Sequence, residues 1–321
     1  MPFAEKALIE QLRRRARRGG HLVRLGIGDD CAILRIAPGC ELLVTTDLTI
    51  EGTHFRREWI PAESVGHRCL ARGLSDIAAM GGDPVAAFLS LGLPRKLPQA
   101  WVNRFMEGLL KLADRFGVTL AGGDVSESRD RVFADIMVVG SVPHNAAVSR
   151  AGARSGDKIY VTGALGGSSG ALDELLSSRR RKLSPKEYPR FFNPVPRMEV
   201  GRFLRGKNLA SSMIDLSDGL STDLGHICEE SKVGAKIQSG ALPLAKIGRS
   251  RRKVDLRLAL HGGEDYELLF TAPADKRVPV NIGRVPITEI GYITRRKRVV
   301  LLNEDDAASE LKAAGWEHFR R

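Results

Sequence analysis

The feature that most constrains this chain is a set of aspartates that close apolar segments, usually beside glycine. Carboxylates are rarely buried in apolar surroundings without a partner, because desolvating a charge is costly. Several carboxylates gathered in one place would repel one another unless divalent cations neutralised them. Oxygen ligands without a histidine–cysteine set favour Mg²⁺, which proteins usually share with substrate phosphates. The set therefore predicts a metal–phosphate site. Its segments are Gly28-Asp29-Asp30, Thr45-Thr46-Asp47, Leu74-Ser75-Asp76, Gly122-Gly123-Asp124 and Asp215-Leu216-Ser217-Asp218-Gly219.

Length and composition bound the class of protein. The 321 residues are enough for two domains, and 43% hydrophobic with 27% charged residues fits a soluble globular chain. No stretch approaches the ~20 apolar residues that span a membrane, and the N-terminus lacks the apolar core of a secretory signal. Four scattered cysteines without a C-x-x-C pair suit a reducing compartment. We therefore expect a cytoplasmic protein that does not associate with membranes.

The net charge of +12 suggests nucleic acid as one candidate partner. The excess lies in short basic runs at 13–18, 179–182, 249–253 and 295–298, which are typical of solvated helix ends and loops. No aromatic residues interleave these runs, as a platform for stacking bases would require. We therefore expect no nucleic-acid partner.

Apolar periodicity predicts an α/β (α+β) protein in two domains, 1–145 and 146–321. A strand at 41–48 is expected to end at Asp47, and a helix from about residue 61 to Gly81 would place Asp76 against the core. A strand at 118–121 would enter a glycine turn, and further strands are predicted in the second half. A helix is predicted over 220–231, after the strand 213–216. The other second-half strands are predicted at 159–163, 235–237, 266–271, 289–293 and 299–302.

The chemistry of the acidic segments follows from their positions. The glycine turn at Gly122-Gly123-Asp124 could present backbone N–H groups to phosphate oxygens while Asp124 binds a metal. Strand alternation would send Asp215 and Ser217 to one side, and Asp218 could cap the next helix. Each segment alone is also compatible with an acidic surface turn, so the argument depends on the set.

Two further positions could contact a substrate. Glu264, in the segment Gly262–Glu267, could face a cationic ligand, although a polar hairpin entry is the alternative. His54 could donate a hydrogen bond to a substrate, although a lone histidine is more often structural. The chain lacks the Walker pattern and the protein-kinase motifs, so phosphoryl transfer would run on another scaffold.

Taken together, the segments resemble the thiamine-monophosphate kinases, of the superfamily that includes aminoimidazole ribonucleotide synthetase. They occur end to end in family order. The matching stretches are GIGDDCAIL (26–34), TTDLTIEGTHF (45–55), LSDIAAMGGDP (74–84), AGGDVSES (121–128), SRAGARSGDKIYVTG (149–163), IDLSDGLSTDLGHI (214–227), GGEDYELLFT (262–271) and GWEHF (315–319).

The resemblance implies a two-domain aminoimidazole ribonucleotide synthetase-like fold, with a mixed N-terminal sheet and a C-terminal α/β domain. It implies ATP-dependent phosphorylation of thiamine monophosphate to thiamine diphosphate with Mg²⁺, in a homodimer whose N-terminal domain binds ATP and mediates dimerisation. It assigns Mg²⁺ to Asp30, Thr45, Thr46, Asp47, Asp76, Asp124, Asp215 and Asp218. It assigns ATP to Gly123, Asp124, Arg150 and Ser217, and thiamine monophosphate to His54, Glu264 and Trp316.

Three alternatives stay open on sequence alone. The chain could be another ATP-dependent enzyme of the same superfamily that acts on a different phosphate acceptor. It could also be a metal–nucleotide-binding module without turnover, or a basic nucleic-acid-binding protein. The absence of an obviously activated serine, cysteine or histidine predicts direct transfer without a phosphoenzyme.

Overall fold

The computed structural model of the chain describes residues 10, 14, 22–27, 31–177, 182–305 and 307–316. The chain divides into two compact units, which are Met1–Ile77 with Gly82–Asn145 (unit 1) and Ala78–Gly81 with Ala146–Arg321 (unit 2). The functional roles assigned to domains 1–145 and 146–321 stay predictions. Within the described ranges, no helix is both long and apolar enough to cross a membrane.

Unit 1 is built on a mixed four-stranded sheet. Its strands run in the order β3-β6-β4-β5, with β4 and β5 parallel and the other two pairs antiparallel. The parallel pair is joined through a helix, as parallel strands require. The elements are β1 Val23–Leu25, β2 Ile33–Leu34, β3 Cys40–Ile50, α1 Ala62–Ala79, β4 Asp83–Pro94, α2 Gln99–Phe116, β5 Thr119–Ser128 and β6 Phe133–Pro143.

The two faces of this sheet differ in what covers them. Successive side chains of a strand point to opposite faces, and along β3 every second residue from Leu42 to Leu48 is exposed. The residues between them, among them Thr45 and Asp47, are only partly exposed. The uncovered face carries large apolar side chains, which are Leu42, Val44, Leu48, Phe133 and Met137.

Helices α1 and α2 touch through two glycines. A Cβ atom at Gly66 of α1 would lie 1.9 Å from the carbonyl oxygen of Phe105, inside α2. Reciprocally, a Cβ atom at Gly108 of α2 would lie 1.8 Å from the carbonyl oxygen of Glu63, inside α1. Only glycine lets the two backbones approach this closely. The pair therefore fixes how α1, the helix that carries Asp76, lies on its neighbour.

Unit 2 is built on an eight-stranded sheet with the order β16-β15-β9-β14-β7-β12-β8, and β13 pairs with β14. All its pairs are antiparallel except β15 with β9. Its strands are β7 Lys158–Thr162, β8 Ser212–Asp215, β9 Gly234–Gln238, β12 Leu268–Ala272, β13 Asn281–Ile282, β14 Val285–Thr294, β15 Val299–Leu302 and β16 Ala308–Glu310. A separate pair is β10 Lys246–Ile247 with β11 Arg252–Lys253. The helices are α3 Gly167–Ser177, α4 Pro189–Phe192, α5 Met198–Gly206, α6 Leu220–Glu230 and α7 Leu256–His261, with a 3₁₀ turn at Ser239–Ala241.

Helix α6 is the element that organises the predicted site residues of unit 2. Its buried apolar side chains are spaced three or four residues apart along one face, at Leu220, Leu224, Ile227 and Cys228. They join a core cluster that also contains Ile214 of β8 and Leu269 of β12. This burial anchors the helix against the sheet and so fixes its first turn beside the end of β8.

Candidate active site

In unit 1, helix α1 brings Asp76 against the partly buried side of β3. The Thr45 hydroxyl donates a hydrogen bond to Asp76 Oδ2. One turn earlier on the same helix, the Arg72 guanidinium donates to the carbonyl oxygen of Leu48. Asp47 lies two residues from Thr45 on the same side of the strand. Helix α1 therefore brings one predicted Mg²⁺ ligand, Asp76, into direct contact with another, Thr45.

We predicted from the sequence that Thr45, Thr46 and Asp47 act together and lie at the end of a strand. The structure contradicts the strand end and separates the side chains of the two threonines. β3 continues to Ile50, so the three residues lie inside the strand, where neighbours face opposite ways. The Thr46 hydroxyl donates to Asp135 Oδ1 at 2.6 Å on the other face of the sheet. The assignment of Thr46 to Mg²⁺ stays a prediction, and its side chain lies apart from that of Thr45.

The expected glycine turn at Gly122-Gly123-Asp124 is wrong. These residues lie inside β5, which pairs in parallel with β4 so that Gly123 meets Leu89 and Asp124 meets Ser90. β5 is an edge strand of the sheet, and the long-range pairing extends it beyond the apolar run. Asp124 is exposed, and Ser126 donates a hydroxyl hydrogen bond to its Oδ2 at 3.3 Å.

His54 holds a local turn. Its Nδ1 accepts the backbone N–H of Ile50 at 3.0 Å, so that nitrogen is engaged within the chain. Asp30, the remaining predicted ligand of unit 1, lies outside the described residues.

In unit 2, β8 ends at Asp215, whose side chain is buried, and the chain then turns through Ser217–Gly219 into α6. Asp218 does not cap this helix, contrary to the sequence expectation. The N-cap position belongs to Gly219, which has no side chain. The turn is capped from inside the helix instead, since Asp223 Oδ2 accepts the backbone N–H groups of Ser217, Asp218 and Gly219 at 3.1, 3.2 and 3.1 Å.

The same turn collects two other predicted residues. The Glu264 N–H donates to the carbonyl oxygen of Ser217 at 2.8 Å, and the Trp316 N–H donates to that of Asp218 at 3.0 Å. Glu264 has a φ of 63°, a left-handed conformation that is unfavourable for glutamate. Trp316 leaves 53% of its surface exposed. Unit 2 thus brings Ser217, Asp218, Glu264 and Trp316 together through their backbones.

Arg150 is held at the other end of α6. Ser231, the residue that follows the helix, accepts the N–H groups of Gly152 and Ala153 at 3.1 Å each and donates to the carbonyl oxygen of Arg150 at 3.2 Å. The eleven residues of α6 span roughly 16 Å at the usual rise. The backbones of Arg150 and Ser217 are therefore not adjacent.

Two family profiles cover most of the chain. The N-terminal domain of the AIR synthase related proteins matches residues 28–142, and their C-terminal domain matches residues 154–304. The thiamine-monophosphate kinase of Escherichia coli O157:H7 is 39% identical over 330 residues, which covers 99% of this chain and 99% of that protein. The chain belongs to the thiamine-monophosphate kinase family.

Solved structures agree with this thiamine-monophosphate kinase assignment. The crystal structure of the kinase from Stenotrophomonas maltophilia K279a matches with a TM-score of 0.81 and 35% identity, over 96% of this chain and 99% of that one. The structure described as AaThiL complexed with AMPPCP and TMP matches with a TM-score of 0.75 and 32% identity, over 98% and 97%. The resemblance inferred from the motifs and the two-domain α/β fold are thereby confirmed.

Two acids of the segment Gly262–Glu267 of this thiamine-monophosphate kinase are structural, and no sequence pattern predicts that role. Asp265 is buried and accepts the backbone N–H groups of Gly166 and Gly167 at 2.6 and 3.0 Å, at the start of α3. Burial raises the pKa of Asp265 to about 7. Its carboxyl group thus ties the glycine turn before α3 to the segment that carries Glu264.

Glu267 is the other structural acid. Its side chain is fully buried and accepts hydrogen bonds from Arg190, Arg197 and the Thr162 hydroxyl, the last at 2.6 Å. Burial would raise the pKa of Glu267, but the hydrogen bonds and charges of the arginines outweigh it and lower the pKa. A buried carboxylate that is paired and hydrogen-bonded in this way has a structural role. Its partners are distant in the sequence and meet only in the folded protein.

The predicted residues offer oxygen donors of the kind that Mg²⁺ prefers. Across residues 22–27, 31–177, 182–305 and 307–316, no three histidine, cysteine, aspartate or glutamate side chains stand where they could hold a metal by themselves. The contacts at Thr45 and Asp76 are between hydroxyl and carboxylate oxygens, which are hard ligands. Such a set fits Mg²⁺, which is commonly bound by one or two carboxylates together with substrate phosphates.

Proposed function

We propose that this protein transfers the γ-phosphoryl group of ATP to thiamine monophosphate and releases thiamine diphosphate and ADP. The observation that carries the proposal is the match to thiamine-monophosphate kinase over 99% of both chains. A related structure was solved with AMPPCP and TMP, and it covers 98% of this chain. The acidic motifs in both units support the same activity.

Mg²⁺ is the metal that the donor chemistry favours. In unit 1, Thr45, Asp47, Asp76 and Asp124 would bind it, with Asp30 and Thr46 as further predicted ligands. In unit 2, Asp215 and Asp218 would bind it. When bound, Mg²⁺ neutralises phosphate charge during transfer. The predicted ATP-binding residues are Gly123 and Asp124 in unit 1 and Arg150 and Ser217 in unit 2, and the guanidinium of Arg150 would contribute positive charge toward phosphate oxygens.

The transfer is a direct in-line displacement. A phosphate oxygen of thiamine monophosphate forms a bond to the γ-phosphorus, and the bond from that phosphorus to the β,γ-bridging oxygen breaks. The nucleophile is already anionic and needs no strong general base. Burial raises the pKa of both Cys69 and Cys228 to about 12, so neither thiol is ionised near neutral pH or suited to form a phosphoenzyme. The protein therefore acts mainly by positioning the two substrates.

The test is a thiamine diphosphate assay on purified protein with ATP, Mg²⁺ and thiamine monophosphate, beside a control with free thiamine. We expect product from the monophosphate alone. ADP release without thiamine diphosphate would keep the scaffold and point to another phosphate acceptor. If folded protein released neither ADP nor thiamine diphosphate, the proposed kinase activity would be contradicted and the binding-module alternative would be favoured.

We also propose a homodimer formed through the uncovered face of the unit 1 sheet. Exposed apolar patches of this kind are typical of interaction sites, and this one holds Leu42, Val44, Leu48, Phe133 and Met137. Sedimentation of wild type and Leu48→Lys should show a dimer and a monomer, respectively. A Leu172→Lys control alters an exposed leucine in unit 2 and should remain dimeric. A monomeric wild type, or an unaffected Leu48→Lys dimer, would overturn the assignment.

We infer that the protein acts in the cytoplasm. The free cysteines Cys31, Cys40, Cys69 and Cys228 form no disulfide with one another, which suits a reducing compartment. Fractionation of cells that produce the protein would test this, and recovery of the activity outside the cytoplasmic fraction would contradict it.

A further inference from the structure

Three consecutive side chains on the first turn of α6 all bind backbone groups that lie outside the helix. Asp223 accepts the three N–H groups of the turn Ser217–Gly219. Thr222 Oγ1 accepts the N–H of Gly315 at 3.1 Å, and Ser221 Oγ accepts that of Ala314 at 3.4 Å. None of the three belongs to the predicted ligand set. Together they connect that turn to the segment that ends at Trp316.

The turn depends on Asp223 for its shape. Asp223 is 1% exposed, and its three N–H donors offset part of the cost of burying a carboxyl group. Gly219 at the N-cap has a φ of 109° and no side chain that could hold the turn in another way. Because one oxygen, Oδ2, accepts all three bonds, it sets the spacing of the backbone at Ser217 and Asp218.

The C-terminal segment depends on the neighbouring residues of the same helical turn. The Ser221 hydroxyl lies 2.8 Å from His261 Nδ1. Burial, with the charge of Arg257, lowers the pKa of His261, so the neutral ring can accept the hydroxyl proton while Ser221 accepts the N–H of Ala314. A Cβ atom at Gly315 would lie 2.0 Å from the carbonyl oxygen of Asp218, so glycine is required for this approach.

We propose that the first turn of α6 positions two parts of the site. Asp223 is a positioning residue for Ser217 and Asp218, and Thr222 with Ser221 is a positioning pair for the segment that leads to Trp316. All three act through backbone groups. The inference rests on the proposed kinase activity for its kinetic consequences, but not for its structural ones.

The two halves should differ in kinetics. Loss of the Asp223 acceptor frees the turn that carries the predicted metal and phosphate residues, and the backbones of Glu264 and Trp316 are hydrogen-bonded to the same turn. We expect Asp223→Ala to raise the Mg²⁺ concentration for half-maximal rate about tenfold, to lower kcat and to raise the KM for thiamine monophosphate as well. Asp223→Asn should restore most of the activity, because its amide oxygen can still accept the three N–H groups.

Thr222→Val keeps the shape of the side chain and removes its acceptor. We expect it to raise the KM for thiamine monophosphate roughly fivefold, with the KM for ATP changed by less than about twofold. Glu199→Ala is the control, because Glu199 is an exposed acid in the first turn of another unit 2 helix, α5. Its kinetic constants should match those of wild type.

Hydrogen–deuterium exchange supplies a readout that needs no activity. Exchange of the peptide that covers 217–219 should accelerate about tenfold in Asp223→Ala, and exchange of the peptide that covers 314–316 should do so in Thr222→Val. If Asp223→Ala does not fold, Asp223→Ser replaces it, since the serine hydroxyl is one bond too short to reach the three donors. Unchanged exchange and kinetics in the folded variants would overturn the positioning role. An inactive wild type with the expected exchange would overturn only the kinase.

Discussion

Acids in the two units illustrate two kinds of hydrogen-bond partner. In unit 1, Asp76 and Asp135 each accept a hydrogen bond from a threonine hydroxyl, which brings no charge of its own. In unit 2, Asp223 and Asp265 accept backbone N–H groups at helix starts, and Glu267 meets two arginines. Backbone amides and buried ion pairs belong to the fold, whereas a hydroxyl beside a carboxylate is a set that a metal can share. We therefore expect the loss of Asp76 to reduce turnover directly, and the loss of a unit 2 acid held by amides or arginines to act first through the local fold.

The largest expected effect is a loss of enzyme turnover when a predicted metal ligand of unit 1 is replaced. Asp76→Asn, or Asp47→Asn, should lower kcat roughly 10²–10³-fold or more with an unchanged melting temperature, because the charge removed is one that the substrates use. Asp114→Asn, an exposed change on α2, is the matched control for steady-state assays. Near-normal turnover in both site variants would break the distinction.

Removing the partner of a buried unit 2 acid should instead lower the free energy of unfolding. Arg197→Met leaves the buried Glu267 with Arg190 as its cationic partner and should cost about 3 kcal/mol of unfolding free energy. Lys158→Met is the control, since its amine pairs at 2.9 Å with Glu289, where both side chains are more than a third exposed, and should cost under about 1 kcal/mol. Urea unfolding of both variants measures the difference. Equal costs would show that burial does not distinguish the two pairs.

Stability should also vary with pH through Asp265. Its pKa is about 7 in the folded protein and 3.8 when unperturbed, so folding favours the protonated form. This contribution is complete below pH 3.8 and is lost as pH rises through 7. Melting curves at pH 5 and pH 8 should show wild type losing more stability than Asp265→Asn. Parallel curves would mean that the N–H donors from α3 keep the carboxylate ionised throughout.

The smallest expected effect concerns Glu264. Glu264→Gly relieves a left-handed conformation and should change stability by no more than about 1 kcal/mol, while raising the KM for thiamine monophosphate. Arg251→Gly is the control, since Arg251 is exposed with a φ of 52° and lies outside the predicted site. It should change stability similarly and leave the KM unaltered. A wild-type KM in Glu264→Gly would remove that side chain from the substrate site.

Local patterns predicted the elements well. The helix predicted over 220–231 is Leu220–Glu230, and the strand predicted at 213–216 is Ser212–Asp215. The failures depend on distant residues. The strand through Gly123 needs β4 as its partner, and the two arginines on Glu267 lie 70 and 77 residues away in the chain. Asp223 was missed because an acid inside a helix looks like an ordinary surface residue.

The glycine pair between α1 and α2 has a consequence for interpreting mutational scans. Any side chain at Gly66 or Gly108 would push apart the helices on which Asp76 depends. In a library selected for growth without external thiamine, both positions should reject every substitution as strictly as an aspartate that binds the metal. If tolerance of substitution were the only criterion, Gly66 and Gly108 would be assigned to the active site, although neither has a side chain that could act there. Separating the two classes requires the abundance of each variant as well as its fitness.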